Sequence, residues 1–222
     1  MICIKHLGLA PYRPVWDIQK RLHTEMVNKK REGEKVSGEW LLTVEHTPVI
    51  TLGKHAKEEN LLFSPERLLE RGVECIRIER GGDVTYHGPG QLVIYPILDL
   101  ELHHLGVRAY VNLLEEAVIR TIAEYGVRGE RIEGASGVWI GGGTPQERKI
   151  CALGVKCTRF VTMHGLALNV NTDLTGFSLI NPCGFIDKGV TSLEKETGAK
   201  LDFNAIRGTL VRHLLILLNS HE

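Results

Sequence analysis

Residues Arg80 to Tyr95 read Arg-Gly-Gly-Asp-Val-Thr-Tyr-His-Gly-Pro-Gly-Gln-Leu-Val-Ile-Tyr. The first eleven of them include four glycines and one proline, a composition that does not build a core. Glycine lets the backbone approach a ligand closely, and holding it in place costs conformational entropy. We therefore interpret residues 80–91 as a binding loop at a strand end, where functional side chains commonly lie. The alternative is a hairpin turn whose polar residues are incidental.

Length and charge limit the classes of protein to consider. A chain of 222 residues predicts a single domain over residues 1–222. Its 27 basic residues balance its 27 acidic ones, so no overall field attracts nucleic acid or an anionic membrane. Local basic clusters remain at residues 29–31 and at Arg148, Lys149, Lys156 and Arg159.

The cysteines and the amino terminus indicate a cellular compartment. The five cysteines are odd in number, and the first residues lack the charged and apolar regions of a secretion signal. Reduced thiols in a cytoplasmic protein are therefore expected. The longest apolar run, residues 214–218, is too short to cross a bilayer.

The hydrophobic pattern predicts a mixture of strands and helices. Strands are expected at residues 2–7, 40–45, 49–52, 73–78, 91–98, 138–140, 149–156 and 162–169. Helices are expected at residues 15–30, 65–71, 107–125 and 203–218. Because the strands come in runs with few helices between them, the pattern favours an α+β fold with largely antiparallel sheets and packed helices.

Two residues are candidates for covalent or acid–base chemistry. Cys183 lies between Pro182 and Gly184, and a thiol in such a turn is more exposed to a pocket than a structural cysteine within an element. It is therefore a candidate nucleophile, with simple packing as the alternative. Lys149 opens an apolar strand, and lysine is rarely buried without a reason. Its alternative role is a solvated strand end.

Two histidines raise the question of a metal. His87 and His164 each adjoin a glycine at a predicted element boundary. Together with Cys183 they have the residue types of a zinc site, but there is no C-x-x-C pair and the spacing does not require a metal. The chain also lacks the G-x-x-x-x-G-K-[ST] and G-x-G-x-x-G patterns of nucleotide sites. We therefore expect neither a metal nor a cofactor.

Four segments, taken together, resemble one enzyme family. They are Arg-Gly-Gly-x-x-Thr-Tyr-His-x-x-Gly-Gln-x-x-x-Tyr at 80–95, Arg-Lys-Ile-x-Ala-Leu-Gly-Val at 148–155, His-Gly-Leu-Ala-Leu-Asn-Val at 164–170, and Asn-Pro-Cys-Gly at 181–184 followed by Gly-Val-Thr-Ser-Leu at 189–193. In this order they resemble the lipoyl(octanoyl) transferases, which are octanoyl–acyl-carrier-protein:protein N-octanoyltransferases. The resemblance covers about residues 40–195, and position 83, Asp here, is variable in the family pattern.

The resemblance implies a biotin/lipoate protein ligase-like catalytic domain, with Cys183 as the acyl-accepting nucleophile, Lys149 as its partner and His164 in a supporting role. It implies that the donor is octanoyl–acyl carrier protein. The acceptors would be the lipoyl domains of 2-oxoacid dehydrogenase complexes and the glycine cleavage H protein. The acyl and carrier site would be formed by Arg80, Gly81, Gly82, Asp83, Val84, Thr85, Tyr86, His87, Ala152, Leu153, Gly154, Gly165, Leu166 and Ala167.

The implied chemistry suits these residue types. Exchange of one thioester for another followed by amide formation needs no ATP, and a cation beside a thiol lowers the pKa of that thiol. Because acyl carrier proteins are acidic, carrier affinity is expected to depend modestly on Arg148, Lys156 and Arg159. One alternative is an ATP-dependent lipoate or biotin protein ligase of the same fold, which does not require Cys183. Another is a non-catalytic carrier-binding module, which leaves Cys183 and Lys149 unexplained.

Overall fold

The structure is a computed structural model that describes residues 1–36, 38–181 and 189–220. Its strands are β1 (Ile2–Ala10), β2 (Glu39–His46), β3 (Val49–Leu52), β4 (Glu74–Arg77), β5 (Val84–His87), β6 (Gln91–Ile97), β7 (Glu130–Ile132), β8 (Ala135–Ile140), β9 (Arg148–Thr158), β10 (Val161–Asn169) and β11 (Gly189–Val190). Its α-helices are α1 (Tyr12–Arg31), α2 (Pro65–Glu70), α3 (Val107–Ala123), α4 (Leu193–Thr197) and α5 (Phe203–Asn219). Short 3₁₀ segments occupy Glu58–Asn60 and Leu174–Leu179.

The described strands form a large and a small sheet. The large sheet has the order β1-β2-β6-β10-β9-β8-β7, with β11 also paired to β9, and the small sheet has the order β4-β3-β5. Most pairs are antiparallel, as predicted, but β1 with β2, β3 with β4 and β9 with β11 are parallel. The predicted α+β class with packed helices is confirmed.

The two faces of the large sheet are covered by different elements. Helices α3 and α5 pack on one face, where Leu114 and Leu214 join Leu166 in one apolar cluster. Helix α1 covers the other face, where Val15 packs in a second cluster that includes Val93. Because both faces are covered, β6 and β10 are buried along their whole length, as expected of strands inside a layered core.

The predicted elements differ from the observed ones in two instructive places. Helix α1 begins at Tyr12 rather than at residue 15, because Pro14 is tolerated in the first turn of a helix. The stretch 80–91, predicted to be a loop, contains strand β5 at Val84–His87, which pairs antiparallel with β3. No helix in the described part of the chain is long and apolar enough to span a bilayer.

Candidate functional site

A cavity lies between the large sheet and the small sheet. Strands β9 and β10 form one wall, and β5 with the residues before it forms the opposite wall. The predicted site residues that line it are Arg80, Gly82, Asp83, Val84, Thr85, His87, Lys149, Ala152, Leu153, Gly154, His164, Gly165, Leu166 and Ala167. The structure therefore gathers residues of all four sequence segments around one space, since Gly189 and Val190 of the fourth segment also line it. Cys183 lies outside the described residues.

Two predicted residues contribute to the wall without lining the cavity. The Gly81 amide donates a hydrogen bond of 3.0 Å to the Val155 carbonyl, which fastens the loop to β9. The Tyr86 ring packs edge-on against Phe177 at 5.5 Å between ring centroids, in the apolar cluster of the small sheet. The neighbours of Tyr86 on β5, Thr85 and His87, line the cavity instead, as expected where neighbouring side chains of a strand point to opposite faces.

The loop before β5 can lie close to β9 because Gly154 has no side chain. A Cβ atom at Gly154 would lie 2.8 Å from the Gly81 carbonyl oxygen and 3.0 Å from Cδ of Arg80. The Arg80 guanidinium is buried and donates from Nη2 to the Thr51 carbonyl at 2.7 Å and from Nη1 to the Gly81 carbonyl at 3.0 Å. These bonds to a charged donor are among the stronger ones in proteins, and they fix the loop.

Lys149 lies near the surface end of the cavity. It pairs across the sheet with Trp139 on β8, and its Nζ atom sits 4.4 Å from the centroid of the Trp139 ring. Strand β11 returns beside it, with Val190 paired to Lys149 and the Thr191 amide donating to the Lys149 carbonyl at 3.0 Å. The exposed Ser136 also lines this end, so Lys149 is accessible from the cavity mouth.

A buried chain of hydrogen bonds runs along the cavity wall. Gln91 Nε2 donates to Asn169 Oδ1 at 2.9 Å, and Asn169 Nδ2 donates to the Thr191 carbonyl at 2.9 Å. Gln91 Oε1 must therefore accept from His87 Nδ1, 2.7 Å away, which assigns the proton of His87 to Nδ1. The chain links β5 to the segment that lies beside Lys149.

A cluster of rings closes the inner part of the cavity. His46 Nδ1 donates to the Ala10 carbonyl at 3.0 Å, so its Nε2 accepts from the Tyr95 hydroxyl at 2.8 Å. Burial lowers the pKa of His46 to about 4 and that of His87 to about 3, which keeps both rings neutral. Burial also raises the pKa of Tyr12 and Tyr95, so both remain protonated.

His164 has an unusual backbone conformation. It was predicted at an element boundary but lies inside β10, with φ = 62°. A non-glycine residue in this region is strained, and such strain is frequent at functional sites. Its ring is buried, 6.4 Å from the Tyr95 ring, and burial lowers its pKa to about 3.

Three of the described cysteines, Cys75, Cys151 and Cys157, have thiols whose burial disfavours the thiolate. Cys151 is fully buried, and burial raises its pKa well above the ordinary value for a thiol. Burial also raises the pKa of Cys75 and Cys157. A thiol with a raised pKa is a poor nucleophile at neutral pH. Among the described residues, no group of three His, Cys, Asp or Glu side chains is arranged to hold a metal ion.

The basic cluster suggested for carrier docking is largely paired. Arg148 forms a two-point ion pair with Glu196, its Nε lying 2.6 Å from Oε1. Lys156 Nζ lies 3.3 Å from Glu79 Oε1. These carboxylates offset both positive charges. The ion pair with Glu196 also gives Arg148 a structural role that the sequence analysis did not predict.

Sequence reasoning missed several cavity residues. Gln91 and Tyr95 lie within the quoted 80–95 pattern, so a signal for them was available. Tyr12, Trp139 and Phe177 also line the cavity, but each reaches it only through tertiary packing. No local pattern marks them.

Comparison with known proteins gives consistent results. Residues 11–215 match the family described as the lipoyl protein ligase A/B catalytic domain. An octanoyltransferase of Bacteroides fragilis is 52% identical over 212 residues, which is 96% of this chain and 96% of that protein. An octanoyltransferase of Flavobacterium johnsoniae is 47% identical and covers 99% of this chain and 97% of that protein.

Solved structures share the fold at low identity. A bi-partite lipoate protein ligase from Thermoplasma acidophilum aligns with a TM-score of 0.71 and 17% identity, covering 97% of this chain and 83% of that one. A lipoate-protein ligase A bound with ATP aligns with a TM-score of 0.69 and 16% identity over 97% of this chain and 85% of that one. A biotin protein ligase from Aquifex aeolicus aligns with a TM-score of 0.55 and 14% identity, over 99% and 70%.

Proposed function

Because the chain belongs to the octanoyltransferases of the lipoyl protein ligase A/B family and transfers an octanoyl group, we propose that Cys183 carries this group as a thioester and that Lys149 manages the protons. The observation that carries the proposal is the position of Lys149 at the accessible end of a cavity walled by small residues. Ala152 and Ala167 leave a slot between the sheets for an apolar chain.

The described residues that flank Cys183 in sequence support its role. The Asn181 amide donates to the Asn60 carbonyl at 2.8 Å, and Asn60 Nδ2 donates at 2.6 Å to Asp83, which lines the cavity. On the other side, Gly189 and Val190 line the cavity themselves. Before the segment that contains Cys183, the chain is thus connected through Asn60 to a cavity residue, and after it the chain lines the cavity.

In the first step the Cys183 thiolate attacks the carbonyl carbon of the donor thioester. A C–S bond to Cys183 forms and the C–S bond to the carrier thiol breaks. The leaving thiolate takes a proton from the Lys149 ammonium, which leaves Lys149 neutral for the second step. The Lys149 ammonium favours the attacking thiolate over the neutral thiol because opposite charges lower a thiol pKa. One thioester replaces another, so the step has little driving force of its own.

In the second step the neutral amine of an acceptor lysine attacks the Cys183 thioester. The C–N bond of the amide forms, the bond to Cys183 breaks, and neutral Lys149 takes the proton that the amine loses. Amide formation from a thioester runs downhill, so the sequence requires no ATP. His164 supports the site from the inner end of the cavity.

We further propose the substrates and the compartment. The donor is octanoyl–acyl carrier protein, and the acceptors are lipoyl domains, including those of 2-oxoacid dehydrogenase complexes and the glycine cleavage H protein. The mechanism needs a reduced thiol, which the cytoplasm maintains, and we place the reaction there. Gly81 and Tyr86 act through the wall of the site, and the other predicted residues act by lining it.

Mass spectrometry of the intact protein tests this proposal. After mixing with octanoyl–acyl carrier protein, the parent should gain one octanoyl group, and peptide mapping should place it on Cys183. Cys183→Ala should lose both the adduct and the transfer to a lipoyl domain. Cys151→Ala and Cys157→Ala are matched controls that should keep the adduct. An adduct that persists in Cys183→Ala would show that another group is the nucleophile.

A further inference from the structure

The cavity is longer than the group it is proposed to hold. Gly154 lies five residues beyond Lys149 on β9, and both residues line the same cavity. At about 3.3 Å per strand residue, this separation is roughly 17 Å. An extended eight-carbon acyl chain is about 9 Å long, because each C–C bond of ~1.5 Å advances the chain by ~1.3 Å. With its carbonyl level with Lys149, the octanoyl chain ends near Ala152, well short of Gly154.

The character of the walls changes beyond that point. Ala152, Val93 and Ala167 surround the middle of the cavity, whereas Arg80, Tyr95 and His164 lie at the level of Gly154 and beyond. We call these last three residues the polar end. Arg80 is held by Thr51, and the Tyr95 hydroxyl donates to His46.

His164 is the exception in the polar end. Its ring is 1% exposed, and neither Nδ1 nor Nε2 has a hydrogen-bond partner among the described residues. Oε2 of Glu79 lies 4.0 Å from Nε2, which is beyond hydrogen-bond distance. A neutral imidazole offers one N–H donor and one acceptor nitrogen. Buried polar atoms normally have partners, so the unpaired ring indicates a missing one.

We propose that the polar end is a second subsite of the acyl cavity, which recognises a hydroxyl group at the end of an acyl chain of about twelve carbons. The inference rests on the proposed function, since it takes the acyl carbonyl to lie beside Lys149. A twelve-carbon chain extends about 14 Å, which brings its last atom within contact distance of the level of Gly154. The expected additional substrates are ω-hydroxyacyl thioesters of that length.

The same geometry disfavours binding of the unsubstituted twelve-carbon acyl chain, which ends in a methyl group. A terminal methyl group at the polar end would exclude water from His164 and leave both ring nitrogens unpaired, which is costly in a buried site. A terminal hydroxyl can accept from the ring N–H or donate to the other nitrogen. The octanoyl chain does not reach His164, because it ends in the apolar part of the cavity.

The test compares three carrier-protein substrates, octanoyl, dodecanoyl and 12-hydroxydodecanoyl, by kcat/KM for transfer to a lipoyl domain. The parent should use 12-hydroxydodecanoyl at least about fivefold better than dodecanoyl, in line with the cost of an unsatisfied buried polar group. In free water the hydroxylated chain is the less hydrophobic of the two, so general hydrophobicity predicts the opposite order.

His164→Gly removes the ring and keeps a residue that tolerates positive φ. The ratio of the two twelve-carbon substrates, taken within this variant, should fall to one or below. His104→Gly is the matched control, because His104 also has a positive φ, of 52°, but is exposed and does not line the cavity. It should keep the parent ratio. His164→Asn should recover part of the preference, since asparagine tolerates this backbone and restores a polar group.

The outcomes separate this inference from the proposed function. If the parent transfers octanoyl groups through Cys183 but shows no preference for the hydroxylated chain, water fills the polar end and the subsite is refuted. The subsite is equally refuted if the preference survives in His164→Gly. If octanoyl transfer does not pass through Cys183, the proposed function itself fails.

Discussion

The close approach of Gly154 to the loop before β5 makes Gly154→Ala a sharp test of how the cavity is built. The added methyl group would lie 2.8 Å from the Gly81 carbonyl oxygen. An ordinary contact of about 3.4 Å requires a retreat of about 0.6 Å. That movement would lengthen the 3.0 Å bond from the Gly81 amide to the Val155 carbonyl to about 3.6 Å, which is no longer a hydrogen bond.

The expected cost follows from these displacements. Loss of the hydrogen bond contributes about 1 kcal/mol, and overpacking contributes about 1–3 kcal/mol. Alanine offsets some of this, because it reduces the freedom of the unfolded chain by about 0.4–1 kcal/mol. We therefore expect the free energy of unfolding to fall by about 1–3 kcal/mol. For a chain of this size, each kcal/mol lowers Tm by about 2–4 °C.

Urea unfolding and octanoyl transfer give the two measurements. Because Gly82 and Asp83 move with the loop, kcat/KM should fall by about tenfold or more. Gly208→Ala is the matched control, since Gly208 is exposed within α5 and a Cβ there meets nothing within 4 Å. It should stabilise the protein by about 0.5–1 kcal/mol and leave transfer unchanged. Parent-like stability and activity in Gly154→Ala would refute the close approach.

Three further predictions concern the cation beside Cys183, the requirement for ATP and the charge of the buried histidines. In Lys149→Ala, the pH at which iodoacetamide alkylates Cys183 at half its maximal rate should rise toward the ordinary thiol pKa of about 8.5. If the pH profile of this variant overlays that of the parent, Lys149 is not the activating cation. Transfer should continue with EDTA and apyrase present, because the donor is already a thioester, and loss of activity there would favour an ATP-dependent ligase. Burial lowers the pKa of His46 to about 4 and those of His87 and His164 to about 3, so the unfolded chain binds more protons below about pH 6.5. The contribution of these neutral histidines to the free energy of unfolding should therefore be fully present above that pH. It should fall as the pH drops toward 4, by about 1.4 kcal/mol per pH unit for each histidine. Urea midpoints at pH 7 and 5.5 measure this slope, which His46→Gln should reduce by one histidine's share, and a flat profile would contradict the assignment of neutral rings.

The glycine-rich stretch shows how far sequence reasoning could go. The composition of residues 80–91 predicts a binding loop, and most residues of this stretch line the cavity, but the composition gave no sign of β5. Val84 and Tyr86 alternate with Thr85 and His87, the pattern of a strand, but only four residues carry it between two glycine pairs. So short a strand is specified by its partner β3 rather than by its own pattern, and one sequence window does not contain that partner.

The positions of two residues of the inner cavity could not be predicted from the sequence. Tyr12 opens a helix that the pattern places three residues later, and it reaches the cavity only because α1 packs across the large sheet. The sequence predicts His164 as a site residue. It does not predict the positive φ of His164, because the preference of histidine for positive φ is weak. Packing between distant elements decided both positions.

Close approaches between backbone segments at three glycines contribute to the shape of the cavity. A Cβ atom at Gly53 would lie 2.4 Å from the Gly82 carbonyl oxygen, and one at Gly165 would lie 2.2 Å from the Ile94 carbonyl oxygen. With Gly154, these positions bring the loop, β9, β10 and β6 closer together than any side chain would allow. Hydrogen-bonded backbone does not change rotamer, so a wall made from it is stiffer than one of leucine or methionine side chains. In the proposed mechanism, a stiff slot would hold the acyl carbonyl at a fixed distance from Lys149. The residues at the far end of the slot, rather than movement of its walls, would then decide the chain length.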